Sequence, residues 1–435
     1  MMASAEKKTS NQSFESDAAA LFSNISASLP GATWLQPLRS EAMKRFAREG
    51  LPHKRVEWWK YTDLRSKIVE GLGVAGIQPL NTVRLYDTLK SHRIKIDGAL
   101  VESKPIQADL PDGLEILSLA ETVEMPSLWL RPWLQPSSSA IENLNLAFAA
   151  DGFLIRVGAN VRVETPILVH SLLSQQNVMA HTRSVVLLEK GAELTLIEVD
   201  YGTTAEQSFS TANTVILLEQ GSRLRHLRIS AREGKNHLVR SDKIDLARDA
   251  SYEGVIATAG AALVRQQQTV RLSGHGASFN VAAAYAPGLD QHADYSFEVA
   301  HAAPQTTSRI LVKGVATANG RGVVQGRVVV EPDAQQSDSH QMARGLILTA
   351  GAEIDQRPEL EIYADDVKCG HGATIGSLDV NQLFYLQSRG IPEAIAREIL
   401  ISAFITEITQ RLPDILRADV DTWLTSHMEK IGGVQ

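Results

Sequence analysis

Apolar residues recur every three to four positions in the first part of the chain. Residues 17–29 and 37–49 both show this spacing, and Gly50 and Pro52 follow the second segment. Side chains three and four positions apart lie on one face of an α-helix, and glycine and proline are common where helices end. The pattern therefore predicts two amphipathic helices, the second of which ends before Pro52.

The segment from Pro52 to Leu64 is dense in aromatic residues. Trp58, Trp59 and Tyr61 stand there among charged side chains. We expect this segment to pack the N-terminal region against the rest of the protein. Aromatic residues among lysine and arginine can instead stack on nucleic-acid bases, but a net charge of -7 at pH 7 disfavours that alternative.

A strand pattern replaces the helical spacing from about Ala140 onward. Short alternating apolar stretches are separated there by pairs of a glycine and a small residue. The pairs begin at Gly158, Gly191, Gly221, Gly276, Gly351 and Gly372, and Ala250-Ser251 lies where a further one is expected. Strands joined by tight glycine turns and repeated every 20 to 33 residues, without intervening helices, are typical of a β-solenoid.

The interior of such a solenoid follows from the alternation along each strand. Each glycine is expected at a corner of positive φ, while every second residue fills a continuous core. Charged residues such as Glu193, Arg223 and Arg225 then face outward. The repeat is irregular, so an antiparallel β-sandwich remains an alternative. A globular α/β fold is disfavoured because the region has no room for crossover helices.

The spacing becomes helical again near Asp379. Asp379 or Ser377 can cap a helix that runs through Gln387, because short polar side chains accept hydrogen bonds from the first free amides. Gly390 and Pro392 are typical of the end of one helix and the start of the next. The apolar residues that we expect this helix to bury are Leu383, Phe384 and Leu386.

Two further helices are predicted over residues 393–411 and near 419–430. The first of them carries an apolar stripe that is wider than one short helix needs. Its members are Ile395, Ile399, Ala403 and Thr406, with Ala396, Leu400 and Ile408 beside them. Since these helices follow the solenoid directly, we expect them to cap its end or to present a surface to a partner.

The chain is thus predicted to be mainly β, with a solenoid core between two helical regions. The predicted divisions are an N-terminal helical or mixed region at 1–139, the core at 140–376 and a C-terminal helical region at 377–435. A length of 435 residues is roughly two to three times that of an ordinary domain. It fits several domains or one elongated repetitive domain.

Composition narrows the function classes. The chain has 43 basic and 50 acidic side chains, so it has no overall positive field that would attract nucleic acid. The first ten residues lack the apolar stretch of a secretion signal, and no run approaches the length of a membrane span. We expect a soluble, cytoplasmic protein that binds neither nucleic acid nor membrane.

The single cysteine, Cys369, restricts the metal chemistry of the chain. One thiol cannot form an intrachain disulfide or a site of four thiolates, and it fits a reducing compartment. His371 stands two residues later in the most polar segment, 359–376, and would project from a strand on the same side. Thiolate and imidazole both bind iron, but a closed site needs about four ligands. The missing ligands must come from another chain or from sulfide.

Other interpretations of this segment stay open. Cys369 can be a small buried apolar residue without chemistry, as lone cysteines often are. A Cys–His nucleophile is disfavoured because no orienting third group stands nearby. Asp365-Asp366 fits a turn better than a paired acid and base, since consecutive strand residues face opposite ways.

Other polar motifs carry less chemistry. Four of the other histidines in the repeat region lie at no spacing typical of metal ligands, and we expect them at the surface or hydrogen-bonded in the core. They are His275, His292, His301 and His340. The glycines from Gly320 to Gly326 lack the Gly-Lys-Ser/Thr ending of a phosphate-binding loop, so nucleotide binding by this chain is disfavoured.

The stretch from Pro358 to Phe404, PELEIYADDVKCGHGATIGSLDVNQLFYLQSRGIPEAIAREILISAF, closely resembles the C-terminal region of the SufB/SufD family of iron–sulfur cluster assembly proteins. Its form YADDVKC-x-HGAT is similar to that of the SufD branch, although the branch often has serine where Gly370 stands here. Shorter matches follow one another along nearly the whole chain. They include Glu57-x-Trp59-Lys60-Tyr61-Thr62-Asp63-Leu64, Asn145 to Gly152, Gln291-His292-x-Asp294, Lys313-Gly314 and Gly320-Arg321-Gly322.

The resemblance implies a right-handed parallel β-helix and a scaffold subunit that is not itself an enzyme. Such a subunit pairs with a SufB-type scaffold, and each of the two binds a SufC-type ABC ATPase through its C-terminal helices. A nascent, transient iron–sulfur cluster is expected at the interface of the two scaffolds. Its implied ligands are a SufB cysteine and His371, with Cys369 as the adjacent thiol in a less defined role.

The resemblance also implies where partners and cofactors enter. Residues 379–411 match the ATPase-docking segment, and the residues expected at that contact are Leu383, Phe384, Tyr385, Arg389, Ile391, Ile395 and Ile399. ATP acts only through the ATPase, and a reduced flavin in the complex is left open as a source of electrons. Whether the isolated chain forms a homodimer through its unpaired solenoid edge is also left open.

Two rival functions belong to other classes. A β-helix enzyme, a polysaccharide lyase or hydrolase, would need Asp, Arg or Lys residues converging on successive coils, and the sequence has no such ladder. A SufB-like subunit that houses the cluster itself is disfavoured by the single cysteine.

Overall fold

Helices lie at both ends of the chain in the computed structural model, as the sequence predicts. The structure describes residues 13–76, 89–98, 100–102, 110–124, 131–173, 175–412 and 414–432. The α-helices are α1 (Phe14–Ile25), α2 (Ala32–Glu49), α3 (Leu119–Val123), α4 (Ala140–Phe148), α5 (Val380–Ser388), α6 (Glu393–Thr409) and α7 (Asp414–Gly432). None of them is long and apolar enough to cross a membrane within the described ranges.

Strands fill the middle of the chain. The short strands before and at the start of the solenoid are β1 (Gly73–Val74), β2 (His92–Asp97), β3 (Leu100–Glu102), β4 (Leu114–Ser118), β5 (Phe153–Val157) and β6 (Ile167–Leu172). The longer ones are β7 (Val178–Leu188), β8 (Glu193–Leu218), β9 (Arg223–Leu246), β10 (Ser251–Ala259), β11 (Ala261–Leu272) and β12 (Ser278–Ala286). The last six are β13 (His292–His301), β14 (Thr307–Ala316), β15 (Arg321–Val330), β16 (Asp338–Ile347), β17 (Glu353–Ile362) and β18 (Lys368–Gly376).

The strands stack in two parallel ladders, which confirms the predicted β-solenoid. The first sheet runs from β6 through the first halves of β8 and β9 to β10, β12, β14, β16 and β18. The second runs from β7 through the other halves of β8 and β9 to β11, β13, β15 and β17. Parallel pairing between successive coils rules out the antiparallel β-sandwich, because a sandwich would pair neighbouring strands in opposite directions.

The corners of the coils are mostly placed where the glycine pattern predicts. Gly221 and Gly276 have φ of 70° and 73°, and Asp249 occupies the equivalent corner between them with φ of 55°. The prediction is wrong at Gly158, where Asn160 takes the positive φ of 59° instead, and at Gly372, which lies inside β18. A Cβ there would stand 2.8 Å from Met342 Cε, so this glycine allows close packing between strands instead of a turn.

Alternating side chains fill the solenoid with apolar residues, but its central coils also bury charges. Arg228 donates to Asp242 and Glu198 at 2.5 and 2.7 Å, and Arg240 donates to Glu198 and Asp200 at 2.9 Å. All of these side chains are at most 4% exposed. Burial alone raises the pKa of Glu198, but the two guanidinium groups outweigh it and hold that pKa well below its usual range.

The N-terminal region covers the outer face of the second sheet. The Arg265 guanidinium lies 4.2 Å from the Trp59 ring centroid and donates to the Trp58 carbonyl oxygen at 2.7 Å. Thr62 Oγ1 donates to Asp294, which also forms a buried ion pair with Arg265. The predicted role of the aromatic segment, to pack the N-terminal region onto the core, is confirmed.

Helices α6 and α7 cover part of the first sheet. Ile405, Ile408, Leu416 and Val420 are buried against strand residues such as Leu227. The Asp379 side chain caps α5, as predicted, and accepts hydrogen bonds from the Asn381 and Gln382 amides.

The prediction that α5 buries its apolar residues is wrong. Phe384 is 71% exposed, and Leu383 and Leu386 are only half-buried, because α5 projects from the end of the solenoid instead of packing on it.

One helix lies where strands were expected. Residues 140–148 form α4, whose Ser139 side chain accepts from the Glu142 amide and whose apolar residues pack with the N-terminal helices. Strands of the solenoid begin only at Phe153. The domain divisions at 139 and 376 stay predictions.

Candidate functional site

The solenoid has an open end formed by β17 and β18. Among the described residues β18 pairs only with β16, and β17 pairs only with β15. The outer backbone edges of these strands are therefore available for pairing with another chain. Three large apolar side chains are exposed beside them: Ile362 at 43%, Tyr363 at 62% and Ile375 at 47%.

Cys369 lies on β18 at this end, opposite Ser339 of β16. Its side chain is half-buried and packs against the apolar core of the solenoid. Burial raises the pKa of its thiol, so the protonated form is favoured until a cation or a partner stabilises the thiolate. Cys369 thus places a thiol on the last strand of the solenoid, where only part of the side chain is open to solvent.

His371 is exposed and stands opposite Gln341 of β16. Because successive strand residues point to opposite sides, His371 and Cys369 lie on the same side of β18. That the two side chains act together as ligands stays a prediction.

A column of hydroxyl groups leads from the core to Cys369. Ser308, Ser339 and Cys369 are in register on β14, β16 and β18. The Oγ atoms of Ser308 and Ser339 are 2.7 Å apart, and Ser308 also contacts His301 Nε2 at 2.8 Å. His301 is fully buried, and this burial lowers its pKa to about 4, so the imidazole is neutral at neutral pH. The interior beside the candidate site is polar and hydrogen-bonded.

A second histidine lies on the other side of the same sheet. His340 Nδ1 is 3.1 Å from Asp338 Oδ1, and Asp338 Oδ2 accepts from Arg309 at 2.7 Å. The hydrogen bond from Arg309 lowers the pKa of Asp338, so its carboxylate stays ionised beside the imidazole. A Cβ on Gly370 would lie 3.7 Å from His340 Cδ2, so the glycine leaves this ring uncovered. Sequence reasoning assigned His340 no partner, although the Asp-x-His spacing in a strand is a usable signal.

The donor set is small. No group of three or more His, Cys, Asp or Glu side chains suited to a metal ion occurs in the part of the chain that the structure describes. Asp365-Asp366 lies in the bend between β17 and β18, as predicted. Cys369 and His371 can supply two ligands, one thiolate and one imidazole, which is about half of a closed tetrahedral shell.

The other polar motifs have structural explanations. His292 is buried beside Thr62, and His301 is hydrogen-bonded in the core. Gly322 and Gly326 lie in strand β15 and Gly320 lies just before it, and a Cβ on Gly322 would clash with the Tyr285 ring. Gly322 thus makes room for an interior tyrosine, and its packing needs no bound phosphate.

The residues predicted to contact an ATPase lie on α5, on the following turn and on the first half of α6. Exposed members are Phe384 (71%), Tyr385 (57%), Ile395 (49%), Ile399 (43%) and Arg389, while Leu383 and Ile391 are half-buried. The Arg389 guanidinium lies 5.2 Å from the Tyr385 ring centroid. Together they form an apolar surface, which we call the α5–α6 face, next to the open end.

Fold and site define a β-solenoid protein with one thiol and one imidazole on the last strand of its open end. The chain belongs to the SufB/SufD family of iron–sulfur cluster assembly proteins. Residues 171–404 match the family described as SUF system FeS cluster assembly, SufBD core domain, and residues 12–169 match the SufBD protein N-terminal region. This membership favours cluster assembly over the polysaccharide-degrading alternative.

Relatives from bacteria and plants are similar over most of the chain. The iron–sulfur cluster assembly protein SufD of Escherichia coli is 29% identical over 87% of this chain and 89% of its own length. The chloroplastic protein ABCI7 of Arabidopsis thaliana is 27% identical over 91% of this chain and 86% of its own. SufB of Bacillus subtilis is 26% identical over 68% of this chain and 64% of its own.

Proposed function

We propose that this protein is a non-catalytic scaffold subunit on which an iron–sulfur cluster is assembled together with a SufB-type partner. The observation that carries the proposal is the position of Cys369 and His371 on the terminal strand of an open solenoid. Two donors cannot hold a cluster alone, so the site waits for ligands from a second chain. The cluster is cargo that is built and passed on.

The SufB-type partner is proposed to meet β17 and β18. Their free backbone edges can pair with strands of another solenoid, and the exposed Ile362, Tyr363 and Ile375 give the contact an apolar part. A relative named SufB shares the family, so the partner is expected to have a similar coil. A cysteine from that partner would join His371 and Cys369. Without the partner, the same edge is expected to pair with a second copy of this chain.

The ATPase is proposed to bind the α5–α6 face. Phe384, Tyr385, Ile395 and Ile399 are exposed on consecutive helices, and a soluble protein rarely exposes so many large apolar side chains together unless a partner covers them. ATP then acts through a SufC-type ABC ATPase and not through this chain. Any reduced flavin that supplies electrons for iron would likewise belong to the complex as a whole.

The test is the His371→Ala substitution in the complex co-expressed with the SufB-type scaffold and the ATPase. The measurement is iron and sulfide content per complex, with complex integrity followed by size-exclusion chromatography. Thr374→Ala is the matched control, because Thr374 is an exposed residue on the opposite side of the same strand. We expect cluster loss with an intact complex for His371→Ala, and no change for the control.

Unchanged cluster content in His371→Ala would remove this histidine from the site. Loss of the complex itself would instead assign His371 to the interface. A Cys369→Ser variant separates the second donor: a smaller loss than that of His371→Ala is expected if Cys369 only assists.

A further inference from the structure

Lys313 is a buried lysine that the proposed function leaves unexplained. It lies on β14 with a side chain that is only 5% exposed, although it points away from the interior. An ammonium group is costly to bury unless charged or polar partners surround it. The partners of the ammonium group therefore show which part of the protein Lys313 fixes in place.

Within the described ranges the ammonium group contacts helix α6. Lys313 Nζ donates to the Phe404 carbonyl oxygen at 2.7 Å and lies 2.6 Å from the Glu407 carboxylate. The same ammonium group lies 4.6 Å from the centroid of the Phe404 ring. Three contacts of different kinds thus join one strand residue to one turn of one helix.

Glu407 extends the link to the next coil. Its carboxylate lies 3.8 Å from Arg344 Nη1, and Arg344 is in register with Lys313 on one side and with Thr374 of β18 on the other. One helix carboxylate therefore spans β14 and β16, and β16 is the strand to which β18 is paired. The terminal strand β18 is therefore the next strand of the sheet after β16, which Glu407 contacts.

Helix α6 is attached along only half of its length. Beyond the contact with Lys313, Ile405 and Ile408 are buried against the first sheet. Before it, Ile395 and Ile399 are 49% and 43% exposed, and Ala396 alone is buried. The contact with Lys313 thus lies where the helix leaves the sheet and begins to project.

We infer that Lys313 is a positioning residue that couples the α5–α6 face to the terminal coils of the solenoid. The inference rests on the proposed function, in which an ATPase binds that face. A displacement of the projecting half of α6 acts on β14 through Lys313 and on β16 through Glu407 and Arg344. It therefore reaches the strand that carries Cys369 and His371.

The test compares the parent complex with Lys313→Met in the full chain, co-purified with the SufB-type scaffold and the ATPase. Methionine keeps an unbranched apolar side chain and removes the charge. Hydrogen exchange of residues 368–376 is measured by mass spectrometry with and without ATP. We expect an ATP-dependent change on the order of tenfold in the parent, reduced to less than about twofold in the variant, with the ATPase still bound. The control is Arg271→Met, whose ion pair with Glu331 lies on the second sheet.

The outcomes separate the inference from the function on which it rests. A parent complex that does not bind the ATPase would overturn the proposed function and the coupling with it. If ATP changes the hydrogen exchange of residues 368–376 equally in the parent and in Lys313→Met, only the coupling is overturned. Loss of ATPase binding in Lys313→Met, or an equal loss of response in Arg271→Met, would make Lys313 an ordinary structural anchor. If Lys313→Met does not fold, Glu407→Gln tests the same link by removing the carboxylate shared by the two strands.

Discussion

Polar side chains have opposite environments in the central coils and in the terminal coil of this solenoid. In the central coils His226 is fully buried and hydrogen-bonded to Glu198 and Tyr252 at 2.8 and 2.9 Å. In the terminal coil His371 is exposed on a strand that, among the described strands, has a neighbour on one side only. A histidine side chain is thus held by hydrogen bonds in the central coils and is accessible to solvent in the terminal coil.

This difference separates stability from function along one repetitive fold. Each coil of a solenoid contacts only its neighbours, so the central coils can carry most of the stabilising interactions while the last coil keeps free edges and free donors. Substitutions in the central coils should therefore change the free energy of unfolding. Substitutions in the terminal coil should change partner binding and cluster content.

The largest effect is expected in the buried ion network. Arg228→Met leaves Glu198 and Asp242 with one guanidinium fewer inside the solenoid, and breaking such a pair typically costs about 3 to 5 kcal/mol. The corresponding change at the terminal coil, Arg357→Met, breaks partly exposed pairs with Glu57 and Glu359 and should cost less than about 1 kcal/mol. Urea denaturation of both variants measures the two costs, and equal values would contradict the comparison.

The pH dependence of stability is expected to come from buried histidines of the inner coils. Burial lowers the pKa of His301 to about 4 and that of His237 to about 4. Since the unfolded chain protonates these rings near pH 6.5, it binds more protons than the folded state between pH 6.5 and pH 4. Stability should therefore fall as the pH decreases through this window, by up to about 3 kcal/mol for each histidine.

His301→Gln provides the check on that prediction. The variant removes one titrating ring while keeping a side chain that can hydrogen-bond to Ser308 and Thr306. The slope of unfolding free energy against pH between 4 and 6.5 should be shallower in the variant than in the parent. An unchanged slope would show that other groups cause the pH dependence.

Close packing of strands in the inner coils predicts a smaller effect. A Cβ on Gly314 would lie 1.9 Å from Cζ of the fully buried Tyr285, so Gly314→Ala should destabilise by about 1 to 3 kcal/mol or more. Gly376→Ala, at the end of β18, meets nothing within 4 Å and should change stability by less than about 0.5 kcal/mol. Thermal unfolding distinguishes the two variants. If a second substitution, Tyr285→Ala, restores the stability of Gly314→Ala, the destabilisation comes from the clash with the Tyr285 ring.

The smallest stability change is expected at the open edge itself. Ile375→Lys places a charge on an exposed strand position and should alter unfolding by less than about 0.5 kcal/mol. Edge charges discourage strand pairing, so the variant should lose association with the SufB-type scaffold or with a second copy. Analytical ultracentrifugation measures this. Normal association would place the interface elsewhere.

The repeat itself was predictable from the sequence, because its cause is local. A tight corner needs a positive φ, which selects glycine or, as at Asp249, a short polar residue that tolerates it. The same logic failed at Gly372, where glycine serves close packing, since sequence alone cannot separate these two reasons. The helix capped by Asp379 was predictable for similarly local reasons.

Features that depend on contacts between distant residues were not predictable. Arg228 and Glu198 stand at inward positions of an alternating pattern, and only the fold reveals that each finds a partner 30 residues away in sequence. Phe384 was expected to be buried because it is apolar, but the direction in which α5 leaves the solenoid keeps it exposed. Of the candidate site, the sequence located Cys369 and His371, while the free edges around them became visible only in the strand pairing.

The one-sided pairing of β18 also has a consequence for the order of folding. In a stacked array each coil is stabilised by contacts with its neighbours, and among the described strands the last coil has a neighbour on one side only. The end carrying Cys369 and His371 should therefore form late and open first, with the lowest protection against local unfolding. Because β18 is also synthesised after the other described strands, Cys369 and His371 come into position only when the coils before them have been made.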